Sequence, residues 1–170
     1  MKPYTIRPAT ADDAASINRY MRGFSEEPDN MISYSRGEYL RSVEEERTRI
    51  EEVVASDNSH MLVAVAESEI IGLCSCFGGV RVRKHTTGLG ITVHRAWRDQ
   101  GVGTALMQAM IQWACDNPVI HRLDLTVFVH NARARHLYRK LGFQEEGILK
   151  EAYFKEGRFL DAVMMAMLFD

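Results

Sequence analysis

Apolar positions along the chain recur with two different periods, and each change of period marks a new element. Residues 4–8 read as a short strand. Thr10 followed by Asp13 forms a capping-box-like start. Ala14, Ile17, Met21 and Phe24 then recur at the spacing of one helix face. The stretch from Glu26 to Asn30 is acidic, contains Pro28 and reads as a loop. Ser35 and Glu38 predict the opening of a second helix, with Tyr39, Val43, Ile50 and Val54 as its apolar stripe. Glu44, Glu45, Glu46, Arg47, Arg49, Glu51 and Glu52 read as the solvated face of that helix.

From Met61 the period shortens. Met61–Ala66 and Ile70–Phe77 are β-rich runs separated by Glu67-Ser68-Glu69, which predicts a hairpin, and Gly88–His94 reads as a third strand. Val102, Ala105, Leu106, Ala109, Met110 and Trp113 then follow helical spacing. Leu123, Leu125 and Val127 alternate as a strand, and Ala134, Leu137, Tyr138 and Leu141 restore a helix that Gly142 ends. Two closing strands, roughly 148–154 and 159–168, flank the turn-like Lys155-Glu156-Gly157-Arg158. Strands alternating with helices imply an α/β sandwich with a mixed sheet.

The chemistry concentrates between a strand and a helix, in Val93-His94-Arg95-Ala96-Trp97-Arg98-Asp99-Gln100-Gly101-Val102-Gly103-Thr104. Backbone N–H groups are unpaired at a helix start and the dipole there is positive, so a diphosphate is stabilised if the backbone can come close. Gly101 and Gly103 allow that approach. They also suit a tight strand-to-helix connection with no ligand. Two rival phosphate motifs fit poorly. A Walker A loop needs lysine after its glycine, whereas Thr104 follows Gly103. A dinucleotide fingerprint needs a third small residue where Leu106 stands.

Arg98-Asp99-Gln100-Gly101-Val102-Gly103 resembles motif A of the GNAT acetyltransferases, Gln/Arg-x-x-Gly-x-Gly/Ala. Asn131-Ala132-Arg133-Ala134-Arg135-His136-Leu137-Tyr138-Arg139-Lys140-Leu141-Gly142-Phe143 is similar to the family's motif B, Asn-x-x-Ala-x-x-Leu-Tyr-x-x-x-Gly-Phe. The two stand in the family's order. The likeness covers most of the chain from residue 61 onward, and residues 1–60 agree in strand–helix–helix outline alone. The C-terminal run around Tyr153, Gly157 and Asp161 resembles the branch of amino-acid, ribosomal-protein and polyamine acetyltransferases.

The resemblance implies a GNAT fold: a mixed, mostly antiparallel sheet splayed between the strands that precede the two motifs, with about four helices around it. It implies acetyl-CoA as co-substrate, without a metal, and direct transfer to a primary amine on a small molecule such as an amino acid. An N-terminal protein acetyltransferase and a non-catalytic acyl-CoA sensor are the alternatives, and a homodimer is compatible with it. Ile91, Thr92 and Val93 would border the pantetheine arm as an added strand does. The turn from Arg98 through Gln100, Gly101, Val102 and Gly103 to Thr104 would hold the diphosphate. Asn131, an N-cap by position, would also contact pantetheine. Tyr138, which spacing alone places in the core, would stabilise or protonate the departing thiolate.

The general base stays open, because the strand before motif A lacks the glutamate many family members carry there. His94, Glu26, Glu27 or a chain of waters are the candidates. Glu26, Glu27 and Asp29 would either attract a cationic amine or form a solvated loop. The stretch from Phe24 to Tyr34 is the expected wall of the acceptor site.

Composition narrows the remainder. The 170 residues suit a single domain, 1–170, with 46% hydrophobic and 26% charged residues as in ordinary globular proteins. Twenty-one basic residues against 23 acidic give −2, so no overall field draws the chain to nucleic acid or a membrane. Cys74 and Cys76 share a strand face with no second Cys/His pair near them, which predicts buried reduced thiols in a cytoplasmic protein rather than a zinc site. Met1 to Arg7 lacks a signal core and no apolar run approaches ~18 residues, so neither export by signal peptide nor a membrane span is expected.

Overall fold

The computed structural model describes residues 3–28 and 30–170. Seven strands form one sheet: β1 Thr5–Pro8, β2 His60–Ala66, β3 Glu69–Gly78, β4 Thr86–Val93, β5 Arg122–Phe128, β6 Gln144–Lys155 and β7 Arg158–Leu168. Their order across the sheet is β1-β2-β3-β4-β5-β7-β6. Every pairing is antiparallel except β4 with β5. Four helices, α1 Ala14–Ser25, α2 Val43–Ala55, α3 Val102–Asp116 and α4 Ala132–Lys140, pack on its two faces. The mixed, mostly antiparallel sheet with about four helices is therefore present as expected.

Alternation along the strands sorts side chains into two cores. Met61, Val63 and Leu73 meet Ile17, Met21 and Phe24 of α1 and Ile50 and Val53 of α2. Leu62, Ala64, Cys74 and Cys76 face the other way, against Leu106, Met107 and Met110 of α3 and Tyr138 of α4. Cys74 and Cys76 do share one buried face, and the third free thiol, Cys115, is exposed. No helix among the described residues is long and apolar enough to cross a membrane.

β4 and β5 pair only at Thr86–Gly88 against Arg122–Asp124. Beyond Gly88, β4 continues alongside β3 as far as Val93 opposite Gly72, while β5 follows β7 as far as Phe128 opposite Ala162. Each strand keeps its antiparallel partner and the parallel pair opens between them.

Both hairpin turns lie where the sequence places them. Glu67 and Ser68 take the positive φ values, 50° and 68°, of a tight two-residue connection, and Glu156 and Gly157 do the same at 49° and 77°. β6 begins earlier than the closing-strand pattern predicts, at Gln144, because its first residues carry the polar pattern of an edge strand. Gly142, with φ 103°, ends α4 in the left-handed conformation.

The second helix departs from expectation. Ser35 and Glu38 close a local turn, in which the Glu38 carboxylate accepts from the Ser35 amide at 2.6 Å. The helix itself starts at Val43. Ser42 caps it by accepting from the Glu45 amide at 3.1 Å, and the Glu45 carboxylate accepts from the Ser42 amide at 2.6 Å. Two similar Ser-x-x-Glu pairs compete, and tertiary packing selects the second. The buried stripe of α2 becomes Glu46, Ile50 and Val53, whereas Val43 and Val54 are exposed and Tyr39 is buried from the preceding loop. Glu46, expected on the solvated face, is wholly buried.

Removing the true cap should cost stability and removing the decoy should not. Ser42→Ala is expected to lose about 1 kcal/mol in chemical denaturation, and Ser35→Ala to stay within about 0.5 kcal/mol of the parent. Equal losses from the two variants would contradict this assignment of the helix start.

Candidate active site

The gap between β4 and β5 opens into a cavity of about 1170 Å³. That is above the ~300–1,000 Å³ usual for a small-ligand site. It passes through the sheet. On the side of α3 and α4 it is lined by Asn131, Leu137 and Tyr138, and on the side of α1 and α2 by Met21, Phe24, Ile32 and Tyr34. Gly88 to Val93 form the β4 rim, and Thr126 and Val127 the β5 rim. The chain from Leu89 to Val93 hydrogen-bonds to β3 on one edge, leaving the edge that faces β5 without a strand partner. An extended ligand can lie along such an edge.

At the far end of that rim the chain turns into α3 through Gly101, whose φ of 82° is left-handed and therefore suits glycine. Gly101 carries no side chain to cap the helix, so the first amides of α3 point outward without intrahelical acceptors. Gly101, Gly103 and Thr104 line the cavity, and a Cβ built on Gly103 would come no nearer than 3.6 Å to Val93. The unpaired strand edge, the free helix amides and the bare glycines together fit an extended arm with an anionic head.

The sequence-derived residues divide by where their side chains go. Ile91 and Val93 point to the core beneath α3, and Thr92 points to α1, where its hydroxyl accepts from Tyr20 at 3.1 Å. Val102 is fully buried, Gln100 donates to the Ala96 carbonyl at 2.7 Å, and neither lines the cavity. Arg98 reaches the cavity but is also engaged by the protein. Its Nε donates to the Val93 carbonyl at 3.1 Å, it pairs with the Glu27 carboxylate, and it lies 5.6 Å from the centre of the Phe24 ring. It joins the end of α1 to the turn. Asn131 caps α4 by accepting from the Ala134 amide at 3.1 Å and lines the cavity at the same time.

Tyr138 is 8% exposed and lines the cavity, with its ring tilted against Phe143. Its hydroxyl makes no hydrogen bond to any described residue. Burial first, and then the neighbouring Cys74 sulfur, push its phenol above the ordinary tyrosine value. A protonated, uncommitted hydroxyl at the edge of a cavity is suited to donate.

The base candidates do not converge there. His94 is exposed and accepts from the Ala96 amide at 3.2 Å, Glu26 is exposed 3.9 Å from Arg36, and the Glu27 carboxylate is held by Arg98. None of the three lines the cavity. Asp29 lies outside the described residues. The expected wall is only partly polar: Phe24, Met31, Ile32, Ser33 and Tyr34 line the cavity, and the glutamates do not.

Sequence reasoning passed over two lining residues on this side, Arg41 and Arg49. Arg49 sits in a charged run that reads as solvent-facing, and nothing in its spacing separates it from its neighbours.

The family model described as the acetyltransferase (GNAT) family matches residues 25–143. The L-amino acid N-acetyltransferase AaaT of Escherichia coli is 39% identical over 107 residues, which are 62% of this chain and 65% of that protein. The [ribosomal protein uS5]-alanine N-acetyltransferase of Escherichia coli is 31% identical over 101 residues, 59% of this chain and 52% of its own. The matches therefore span about half to two thirds of these relatives. Among solved structures, an acetyltransferase of the GNAT family from Streptococcus pneumoniae superposes with a TM-score of 0.94 at 30% identity, covering 99% of this chain and 100% of that one. With both motifs flanking a splayed sheet and a family match over well more than half its length, the chain belongs to the GNAT acetyltransferase family.

Proposed function

We propose that this protein transfers the acetyl group of acetyl-CoA to the primary amine of a small molecule, an amino acid or related compound, by direct attack. The observation that carries this reading is the cavity that crosses the sheet, with a donor hydroxyl at its margin. A sensor needs only the half of it bordered by α3 and α4. An enzyme needs the second opening as well, so that two reactants meet from opposite faces.

Acetyl-CoA, when bound, supplies an acetyl group activated as a thioester. The free edge of Leu89–Val93 positions the arm, and the amides at the start of α3, from Gly101 to Thr104, hold the diphosphate. Arg98 acts indirectly by fixing that turn to Glu27 and Val93. Asn131 orients the arm from the other rim. The acceptor enters from the side of Phe24 and Tyr34. Its nitrogen forms the new C–N bond as the C–S bond breaks, Tyr138 gives its proton to the leaving sulfur, and the proton shed by the amine leaves through water. A water path is the reading favoured for the base, since His94, Glu26 and Glu27 all lie off the cavity.

The small-molecule acceptor is supported by a tether over that entrance. Lys155, in the β6–β7 hairpin, donates to the carbonyls of Asn30 and Ile32, each at 2.9 Å, and also to the Asn30 side chain. This holds the 30–34 loop, whose Ile32, Ser33 and Tyr34 line the cavity, against the hairpin. We further propose a reducing cytoplasmic setting for the chain, on the ground of its three free thiols.

An amine panel with thiol detection of released CoA tests the whole reading. Amino acids should accelerate release saturably, and release that stays at the hydrolytic background while acetyl-CoA binds tightly would leave a sensor.

Three narrower outcomes accompany it. Gly103→Val fills space against the phosphate-facing backbone and should weaken acetyl-CoA binding at least about tenfold by calorimetry, with the fold retained; each tenfold is about 1.4 kcal/mol. Tyr138→Phe removes a hydroxyl that holds nothing in place. It should leave thermal stability unchanged while turnover falls ~10²–10⁴-fold. Wild-type-like turnover, with chemistry shown to limit the rate, would return Tyr138 to a packing role. The rate should rise with pH as the amine loses its proton. Because burial raises the Tyr138 value, the donor form persists past the ordinary tyrosine pKa of about 10. An alkaline loss of turnover below pH 10 that Tyr138→Phe abolishes would contradict that sign.

A further inference from the structure

Glu46 is the least expected charge in the protein. Its carboxylate is 0% exposed and three groups converge on it: the Tyr39 hydroxyl, Arg41 Nη1 at 3.3 Å and Arg49 Nη1 at 2.9 Å. Among the described residues neither arginine pairs with any other carboxylate. Both line the cavity on the acceptor side, where their side chains remain 29% and 23% exposed. Arg49 also lies 4.4 Å from the centre of the Phe77 ring.

The charges do not cancel. Two guanidiniums and one carboxylate leave a net +1 (1 + 1 − 1) at the wall. Among the described residues, the one acidic residue lining the cavity is Asp99, which sits in the turn before α3 and pairs there with Arg133 at 3.1 Å. A cationic acceptor such as a polyamine would meet positive charge on the side it enters. An acceptor bearing an anion as well as an amine would not. Each guanidinium carries five N–H donors and spends one on Glu46, which leaves its fork available to a planar carboxylate. An outer surface groove also borders both side chains, together with Glu44, Glu45 and Glu52, yet no ion pair forms across it.

We infer that Arg41 and Arg49, held in place by buried Glu46, bind the carboxylate of the acceptor and make the enzyme selective for free amino acids over amines and peptides. This rests on the acetyl-transfer reading above. Met21, Phe24, Met31, Leu73 and Phe77 around the same chamber suit an apolar side chain beside that carboxylate. Glu46 is a positioning residue. It holds two like charges side by side and does not itself face the cavity.

Matched acceptors test the inference: L-leucine, L-leucinamide, isopentylamine and a leucine-initiated dipeptide, at one pH with saturating acetyl-CoA. Amidation lowers the basicity of the neighbouring amine, so the deciding quantity is how the acid-to-amide ratio of kcat/KM changes between proteins. In the parent, leucine should exceed isopentylamine and the dipeptide. In Arg49→Gln the acid-to-amide ratio should fall about 10- to 100-fold, the worth of a charge-assisted hydrogen bond, with acetyl-CoA affinity unchanged. Arg49→Lys keeps the charge but loses the fork and should fall in between.

If Arg49→Gln fails to fold, the parent's preferences and the lysine variant decide. A parent that takes the dipeptide or isopentylamine as readily as leucine, or a ratio unmoved by either variant, overturns the carboxylate assignment while leaving acetyl transfer intact. Amine-independent CoA release throughout would overturn both.

Discussion

The site exists because two strands cannot satisfy two demands at once. β4 and β5 begin as neighbours, but each has a longer antiparallel partner, β3 for one and β7 for the other. Antiparallel pairing is slightly more stable per residue than parallel pairing and recruits more of each strand here. Sheet twist then carries β4 and β5 apart once the three parallel pairs end. The gap leaves a row of main-chain groups on β4 unpaired inside the protein, a liability in an ordinary sheet. Here that row faces a cavity into which a strand-like ligand arm can lie.

The half of the cavity beside α1 and α2 depends on a second constraint, burial of charge where the segment joining these helices runs into α2. Glu46 would be costly in the core without its three partners, and breaking such a cluster by removing one of them typically costs ~3–5 kcal/mol. Satisfying it draws Tyr39 and Arg41 inward and explains why residues 35–42 do not extend the helix. Lys155 fastens the same segment to the β6–β7 hairpin, and the Arg98–Glu27 pair fastens the end of α1 to the turn that precedes α3. The α1-side wall of the cavity and the glycine turn before α3 are thus connected through side chains.

Local patterns in the sequence were enough for most elements. The i, i+3, i+4 spacing from Val102 to Trp113, the alternation around Leu123 and the two hairpin turns depend on backbone geometry within a few residues, and the structure follows them. The bare helix start at Gly101 and the cap at Asn131 were legible for the same reason: caps and left-handed turns are local events. The place of Tyr138 at the cavity was legible through the likeness of its neighbours to a known motif, while its spacing suggested only a core aromatic.

Other features were decided by groups distant along the chain. Whether Ser35 or Ser42 starts the second helix could not be read from two near-identical Ser-x-x-Glu pairs, since the choice follows from which register buries Ile50 and Val53 against β2 and β3. Glu46 looked like any member of a charged run until Tyr39, Arg41 and Arg49 closed around it. The exclusion of His94, Glu26 and Glu27 from the cavity depends on how the ends of α1 and β4 meet, in contacts such as the 71-residue separation of Glu27 and Arg98. The sequence by itself determined most of the elements and the glycine turn before α3, because those arise from hydrogen bonds and steric limits between near neighbours. The tertiary structure alone decided which charges are buried, which face the cavity and where the sheet opens, because those depend on long-range packing and on the cost of removing charge from water.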